Sequence, residues 1–250
     1  EISECLVGSE MCIRDRFIHW LQDEHKEYLF LTNNSGMTPR ELCQKLQRMG
    51  LDVPEEHFYT SALATAAFLA DQAPGCSVYA LGEAGLLNAL YDRGITMNDV
   101  NPDYVVIGEA RAYSLDTLTK ATNLVLAGAK LIGANSDVSG PIENGIAPAC
   151  RALIAPIEMA TGKQAYFCGK PNPLMMRTGL KMLNCHSAEA VMVGDRMDTD
   201  VISGMESGMS TVLVLSGVST RESLRTYAYR PSIVLDGVGD IAAMARAEKK

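Results

Sequence analysis

From Phe17 onward, short runs rich in β-branched and aliphatic residues alternate with helix-length amphipathic stretches. That alternation is the strongest constraint on what this chain can fold into. It predicts an α/β protein with a mainly parallel sheet. Strands are read at Tyr28 to Leu31, His57 to Thr60, Ser77 to Leu81, Tyr104 to Ile107, Lys130 to Ala134, Tyr166 to Cys168, Ala190 to Val193, Thr211 to Leu215 and Ser232 to Leu235. Helices are read between them, at Pro39 to Met49, Ala62 to Ala70, Gly85 to Asp92, Ser114 to Leu126, Cys150 to Thr161, Leu174 to Leu183, Asp198 to Gly208 and from Asp240. Pro39 suits a first helical turn and Gly50 a helix stop. A second α/β unit opens after Ala73-Pro74-Gly75, and Asn135 to Pro148 reads as a polar connection punctuated by Gly and Pro.

Composition narrows the function classes. With 250 residues, 47% of them hydrophobic, the chain can bury a core in one large domain or two modest ones. Thirty acids against 22 bases give a charge of −8 with no Lys/Arg run, which excludes nucleic acid as a bulk partner. Apolar runs such as Thr211 to Leu215 are far shorter than the roughly 20 residues of a membrane span, so no membrane association through a transmembrane helix is expected. Seven cysteines without a Cys-x-x-Cys pair indicate reduced thiols and a cytoplasmic protein. The four histidines lack metal-ligand spacing.

Three strand ends carry polar clusters, and ligands of parallel α/β sheets sit at the carboxyl ends of strands. The first is Thr32-Asn33-Asn34-Ser35, where a hydroxyl and successive backbone N–H groups could cradle a phosphate, although a polar helix-capping turn has the same composition. The second is Gly169-Lys170-Pro171-Asn172-Pro173, a cation fixed between prolines that could neutralise a carboxylate nucleophile and a transferring phosphoryl group. The third, Gly194-Asp195-Arg196-Met197-Asp198-Thr199-Asp200, holds three carboxylates in six residues. Such acids repel one another unless a cation compensates, and an oxygen-rich set selects Mg²⁺. Gly237-Val238-Gly239 resembles a dinucleotide fingerprint but leaves no room for the βαβ unit, and no Gly-x-Ser-x-Gly elbow exists.

Together these three motifs resemble motifs two, three and four of the haloacid dehalogenase superfamily, and their order and spacing narrow the resemblance to its NagD-like phosphatase branch. The resemblance runs from Phe17 to about Ala242. It implies a Rossmann-like parallel-sheet core with an inserted α/β cap lying within the 137 positions between Thr32 and Lys170. The expected partition is 17–73 and 164–250 for the core and 74–163 for the cap. The resemblance further implies a Mg²⁺-dependent phosphatase for a small phosphorylated metabolite such as a nucleotide monophosphate, phosphoglycolate or a sugar phosphate, acting through an aspartyl-phosphate. Thr32 and the Asn33 amide would bind the phosphate beside Asn34, Lys170 would position the nucleophile, Asp195 would bind Mg²⁺ and Asp200 would order its shell. Asp198 reads as a helix-start acid. Asn135 and Asp137, with the 140–148 loop, would face the substrate. A homo-oligomer is compatible with this reading.

The first motif of that superfamily, Asp-x-Asp-Gly-Val, is not found at a strand end. Residues 6–16 match one reading frame of a transposon adapter used in sequencing libraries, so residues 1–16 are expected to be non-native and the first strand missing or replaced. Asp15 is followed by Arg16-Phe17 and is read as immediately preceding a helix marked by the spacing of Phe17, Trp20 and Leu21; Leu235-Asp236-Gly237-Val238 has Val234 where the nucleophile should stand. The chain as written is therefore expected to be inactive and poorly stable, with exposed strand edges. The competing reading is a non-catalytic phosphate-binding or regulatory protein; a dehalogenase or phosphomutase is disfavoured by the large insertion.

Overall fold

The computed structural model describes residues 11–248; residues 1–10 and 249–250 lie outside the described residues, and with them most of the segment expected to be adapter-derived. Helix α1 (Met11–Asp23) leads into β1 (Phe30–Thr32), α2 (Pro39–Arg48), β2 (Phe58–Thr60) and α3 (Ser61–Gln72). Next come β3 (Ser77–Leu81), α4 (Ala84–Asp92), β4 (Thr96–Met97), β5 (Tyr104–Ile107), α5 (Leu115–Leu126) and β6 (Lys130–Gly133). A hairpin, β7 (Ser139–Ile142) and β8 (Gly145–Pro148), precedes α6 (Cys150–Thr161) and β9 (Tyr166–Phe167). The chain closes with α7 (Pro173–Met182), β10 (Val191–Gly194), a π-helical turn Met197–Val201 continuing as α8 (Ile202–Glu206), β11 (Ser210–Val214), β12 (Ile233–Leu235) and α9 (Gly239–Glu248). The α/β class read from the sequence holds.

Two compact units form. One comprises Phe30–Gln44 and Pro54–Met175. Its five-stranded sheet has the order β4-β3-β5-β6-β9, all pairs parallel. All four residues of β5 are buried, as expected for a strand covered on both faces. Val105, Ile107 and Leu131 pack with Ala121, Leu124 and Val125 of α5 and with Cys150, Ile154 and Ile157 of α6. In the same unit β1 pairs with β2 in parallel, Thr32 opposite Thr60. Thr60 caps α3 by accepting the Leu63 N–H at 3.2 Å. The alanines at 62, 64 and 66 are fully buried, which lets α3 pack close to α4.

The second unit comprises, among the described residues, 11–29, Lys45–Val53 and 176–248. Its sheet, β10-β11-β12, is parallel throughout. Met197, Val201 and Leu213 form its buried centre, with Leu215, Leu224, Tyr227 and Tyr229 packed around them, and α1 packs on α9.

Four local readings are corrected. The 135–148 segment contains the β7–β8 hairpin, with Gly140 opposite Ala147; its Gly and Pro residues hid the strand pattern. The two-residue β4 is too short to leave a periodic signal. Asp15 lies inside α1. The Asp198 helix opens as a π turn, in which the Val201 N–H donates to the Arg196 carbonyl.

Candidate active site

Parallel pairing places the carboxyl ends of β3, β5, β6 and β9 on one sheet edge, so Glu83, Glu109, Asn135 and Lys170 emerge there. The loop after β1 is bonded to this edge. Thr32 Oγ1 accepts the Asn34 N–H at 3.1 Å, and Asn34 Oδ1 accepts the Met37 N–H at 2.8 Å, so two side-chain turns shape residues 32–37. Thr38 and Glu41 then cap α2 reciprocally.

Asn33 is the centre of the cluster. Its Oδ1 accepts the Lys170 N–H at 2.7 Å and its Nδ2 donates to the Lys170 carbonyl at 3.0 Å, so its carboxamide pairs with Lys170 as one peptide group pairs with another. The same Nδ2 donates to Asp137 Oδ2 at 3.0 Å. Both donor hydrogens of the carboxamide are thereby engaged. Gly169 must lack a side chain, because a Cβ there would lie 2.7 Å from Asn33 Oδ1 and 2.8 Å from the Ala134 carbonyl. Lys170 is buried, and its ammonium donates to the Leu31 carbonyl at 2.9 Å, one residue before Thr32.

Asn135 ties the β6 end to the same loop. Its Nδ2 donates to the Asn33 carbonyl at 2.6 Å and to Glu109 Oε1 at 2.7 Å, and its Oδ1 accepts the Asp137 N–H at 3.1 Å. Ser61 Oγ also donates to the Asn33 carbonyl. Glu109 is the residue that sequence reading missed. Its Oε2 accepts both the N–H and the hydroxyl of Ser35, at 2.6 and 2.5 Å, and its own N–H donates to Ser35 Oγ at 2.9 Å. The available signal was its place at the end of a fully buried strand. Asp137 Oδ1 is buried and has no hydrogen-bond partner among the described residues. Thr32, Asn33, Asn34, Asn135, Asp137 and Lys170 thus belong to one network of the first unit. Beneath it, burial pushes the thiols of Cys150 and Cys168 up to about 12.

Asp195 and Asp200 lie in the second unit, after β10. Buried Asp200 turns back on its own loop, its Oδ2 accepting the N–H groups of Asp195 and Arg196, both at 3.1 Å. Asp198 is exposed and pairs with the Arg196 guanidinium through two bonds of 3.1 and 2.9 Å. Asp195 Oδ2 accepts the Val218 N–H at 2.8 Å; among the described residues its Oδ1 has no hydrogen-bond donor. Protein groups thus relieve much of the repulsion that the sequence suggested. Among the described residues no cluster of three or more His, Cys, Asp or Glu gathers as a complete metal site.

The chain is similar to known proteins along most of its length. The profile of the haloacid dehalogenase-like hydrolases matches residues 14–96, and that of the HAD-hydrolase-like proteins matches residues 167–241. Over 228 residues the chain is 49% identical to the dihydroxyacetone phosphatase of Corynebacterium glutamicum (strain R), covering 91% of this chain and 83% of the relative. It is 41% identical over 225 residues to the ribonucleotide monophosphatase NagD of Escherichia coli (strain K12), covering 90% and 88%. The solved structure of NagD from E. coli K-12 superposes with a TM-score of 0.85 at 40% identity, covering 90% of this chain and 89% of that one.

Proposed function

Because this chain belongs to the haloacid dehalogenase-like hydrolases, in their NagD-like branch of phosphoric monoester hydrolases, we propose that it carries the phosphate- and metal-binding parts of a Mg²⁺-dependent phosphatase for small phosphorylated metabolites. The observation that carries the reading is the two-bond pairing of Asn33 with Lys170, which fixes a buried lysine beside the strand end bearing Thr32. In this assignment the Thr32 hydroxyl, whose oxygen already accepts the Asn34 N–H, donates its proton to a phosphate oxygen, and the Asn33 backbone amide supplies a second donor. Lys170 offsets the charge that builds up as the phosphoryl group transfers. Asn34 shapes the loop.

Asp195 and Asp200 are the residues that would hold the cation. The fit rests on the donor set and on its cradle: Mg²⁺ is commonly bound by one or two carboxylates completed by substrate phosphate and water, and a Cβ on Gly217 would lie 2.0 Å from Asp195 Oδ2. When bound, the cation supplies charge neutralisation of the phosphate and the attacking carboxylate. The covalent route needs an Asp nucleophile and a second Asp two residues on. The only Asp-x-Asp among these 250 residues, Asp198-Thr199-Asp200, is the one in the fourth motif, so the chain by itself is assigned no turnover. That same feature favours the second reading, a phosphate-binding or regulatory protein.

The inserted segment 74–163 is assigned the role of specificity module, contributing Asn135 and Asp137. Dihydroxyacetone phosphate is the first ester to test, since the relative at 49% identity is a dihydroxyacetone phosphatase; sugar phosphates, phosphoglycolate and nucleotide monophosphates follow. The five cysteines of the described side chains are all free, which supports a cytoplasmic setting. Titration of the chain with inorganic phosphate tests the binding part: saturable binding that Lys170→Ala abolishes is expected, and equal binding by both proteins would refute it.

A further inference from the structure

In the second unit, the loop after β11 closes over Asp195. Val218 donates its N–H to Asp195 Oδ2 at 2.8 Å, and Ser219 donates its N–H to the Asp195 carbonyl at 3.0 Å. Ser219 Oγ in turn accepts the Met197 N–H at 3.3 Å. Gly217 completes the cover with bare backbone: a Cβ there would lie 2.0 Å from Asp195 Oδ2 and 2.5 Å from its Cβ and Cγ. Asp200 holds the main chain of Asp195 and Arg196, so the two supports divide the work. One fixes the backbone and the other fixes the carboxylate. The result is an Asp195 with one oxygen engaged and one presented.

We propose that the Gly217-Val218-Ser219 loop is the positioning device that holds Asp195 as a one-oxygen ligand and so makes the site select Mg²⁺ over Ca²⁺. The inference rests on the assignment of Asp195 as a cation ligand. Mg²⁺ requires near-octahedral geometry at short distance, whereas Ca²⁺ accepts carboxylates through one or both oxygens in flexible shells. A carboxylate whose second oxygen is tied to a backbone N–H is shaped for the first and gives the second less. Partners that orient a metal ligand typically change affinity by about 10- to 100-fold when altered.

The test titrates the full chain with Mg²⁺ and, separately, Ca²⁺ by calorimetry, with Mn²⁺ displacement followed by electron paramagnetic resonance. Gly217→Ala is the principal variant. Gly217 is not among the glycines of positive φ, so the backbone tolerates alanine and the strain falls on Asp195. Val218→Pro removes the N–H donor without adding a Cβ at 217. Circular dichroism and the melting midpoint identify a variant that fails to fold, in which case the other variant decides. Expected for either folded variant is Mg²⁺ affinity about tenfold weaker, Ca²⁺ affinity changed by less than about threefold, and a loss of preference for Mg²⁺. Unchanged Mg²⁺ affinity, or an equal loss for both cations, overturns the proposal. If the parent chain binds neither cation, or Asp195→Asn binds Mg²⁺ as well as the parent does, the assignment of Asp195 fails and takes the proposal with it.

Discussion

Replacing Asn33 by aspartate changes a single donor nitrogen into an acceptor oxygen at the centre of the network, and its cost is readable from the contacts. The acceptor bond from the Lys170 N–H survives, but the two bonds donated by Nδ2, to the Lys170 carbonyl and to Asp137 Oδ2, are lost. Orphaning buried acceptors costs about 1–3 kcal/mol each. The introduced carboxylate would also face Asp137 across the 3.0 Å that the lost bond spanned, so one carboxyl must hold a proton or both must bear the repulsion. The sum is a destabilisation of about 3–5 kcal/mol at pH 7. Its pH dependence has a definite sign. The folded state raises the pKa of the introduced carboxyl above the unfolded value of about 3.9, so the charge penalty is complete above the raised folded value and vanishes below the unfolded one. Once protonated, the introduced carboxyl also regains a donor toward Asp137. Urea denaturation of parent, Asn33→Asp and Asn33→Ala at pH 7 and pH 4.5 measures this: the aspartate variant should recover much of its deficit at the lower pH, while the alanine deficit stays constant. An Asn33→Asp protein within about 0.5 kcal/mol of the parent at pH 7, or equally impaired at both pH values, would refute the role given to the Asn33 carboxamide.

Gly169→Ala is expected to destabilise by about 2–3 kcal/mol in the same assay through collision with Asn33 Oδ1 and the Ala134 carbonyl; a neutral effect would mean that the loop is not tightly packed there. The thiols of Cys150 and Cys168, pushed up to about 12 by burial, remain protonated at pH 8. Iodoacetamide followed by mass spectrometry should therefore label the half-buried Cys43 and Cys185 of the native protein first, and labelling of Cys150 or Cys168 at the same rate would contradict their burial.

Much of this architecture was legible because its signals are local. Runs such as Tyr104 to Ile107 are buried on both faces and so read as continuous apolar strands, and Thr60 and Ser114 lead into helices that they cap. The β7–β8 hairpin was not legible, since Gly140, Pro141, Gly145 and Pro148 occupy half its strand positions. The candidate residues Thr32, Asn33 and Lys170 stood out as polar groups at strand ends, yet the pairing of Asn33 with Lys170 joins residues 137 positions apart, and no local pattern encodes it. Glu109 was missed for the opposite reason. A single acid after a strand has the sequence appearance of a solvated turn, and only the fold brings Ser35 and Asn135 to it. The acidic trio was read as a charge excess needing a cation, whereas backbone N–H groups and Arg196 already meet Asp200 and Asp198.

On the proposed assignment, in which Thr32, Lys170, Asp195 and Asp200 serve phosphate and cation, supplying a strand that ends in Asp-x-Asp should confer turnover. The decisive quantity is the initial rate of p-nitrophenyl phosphate hydrolysis, with and without Mg²⁺, for the chain alone and for the chain joined before Phe17 to a strand ending in Asp-x-Asp. Mg²⁺-dependent turnover by the joined protein, abolished by Lys170→Ala and absent from the chain alone, is the predicted result. Equal turnover by the chain alone, or none by a folded joined protein, would contradict it.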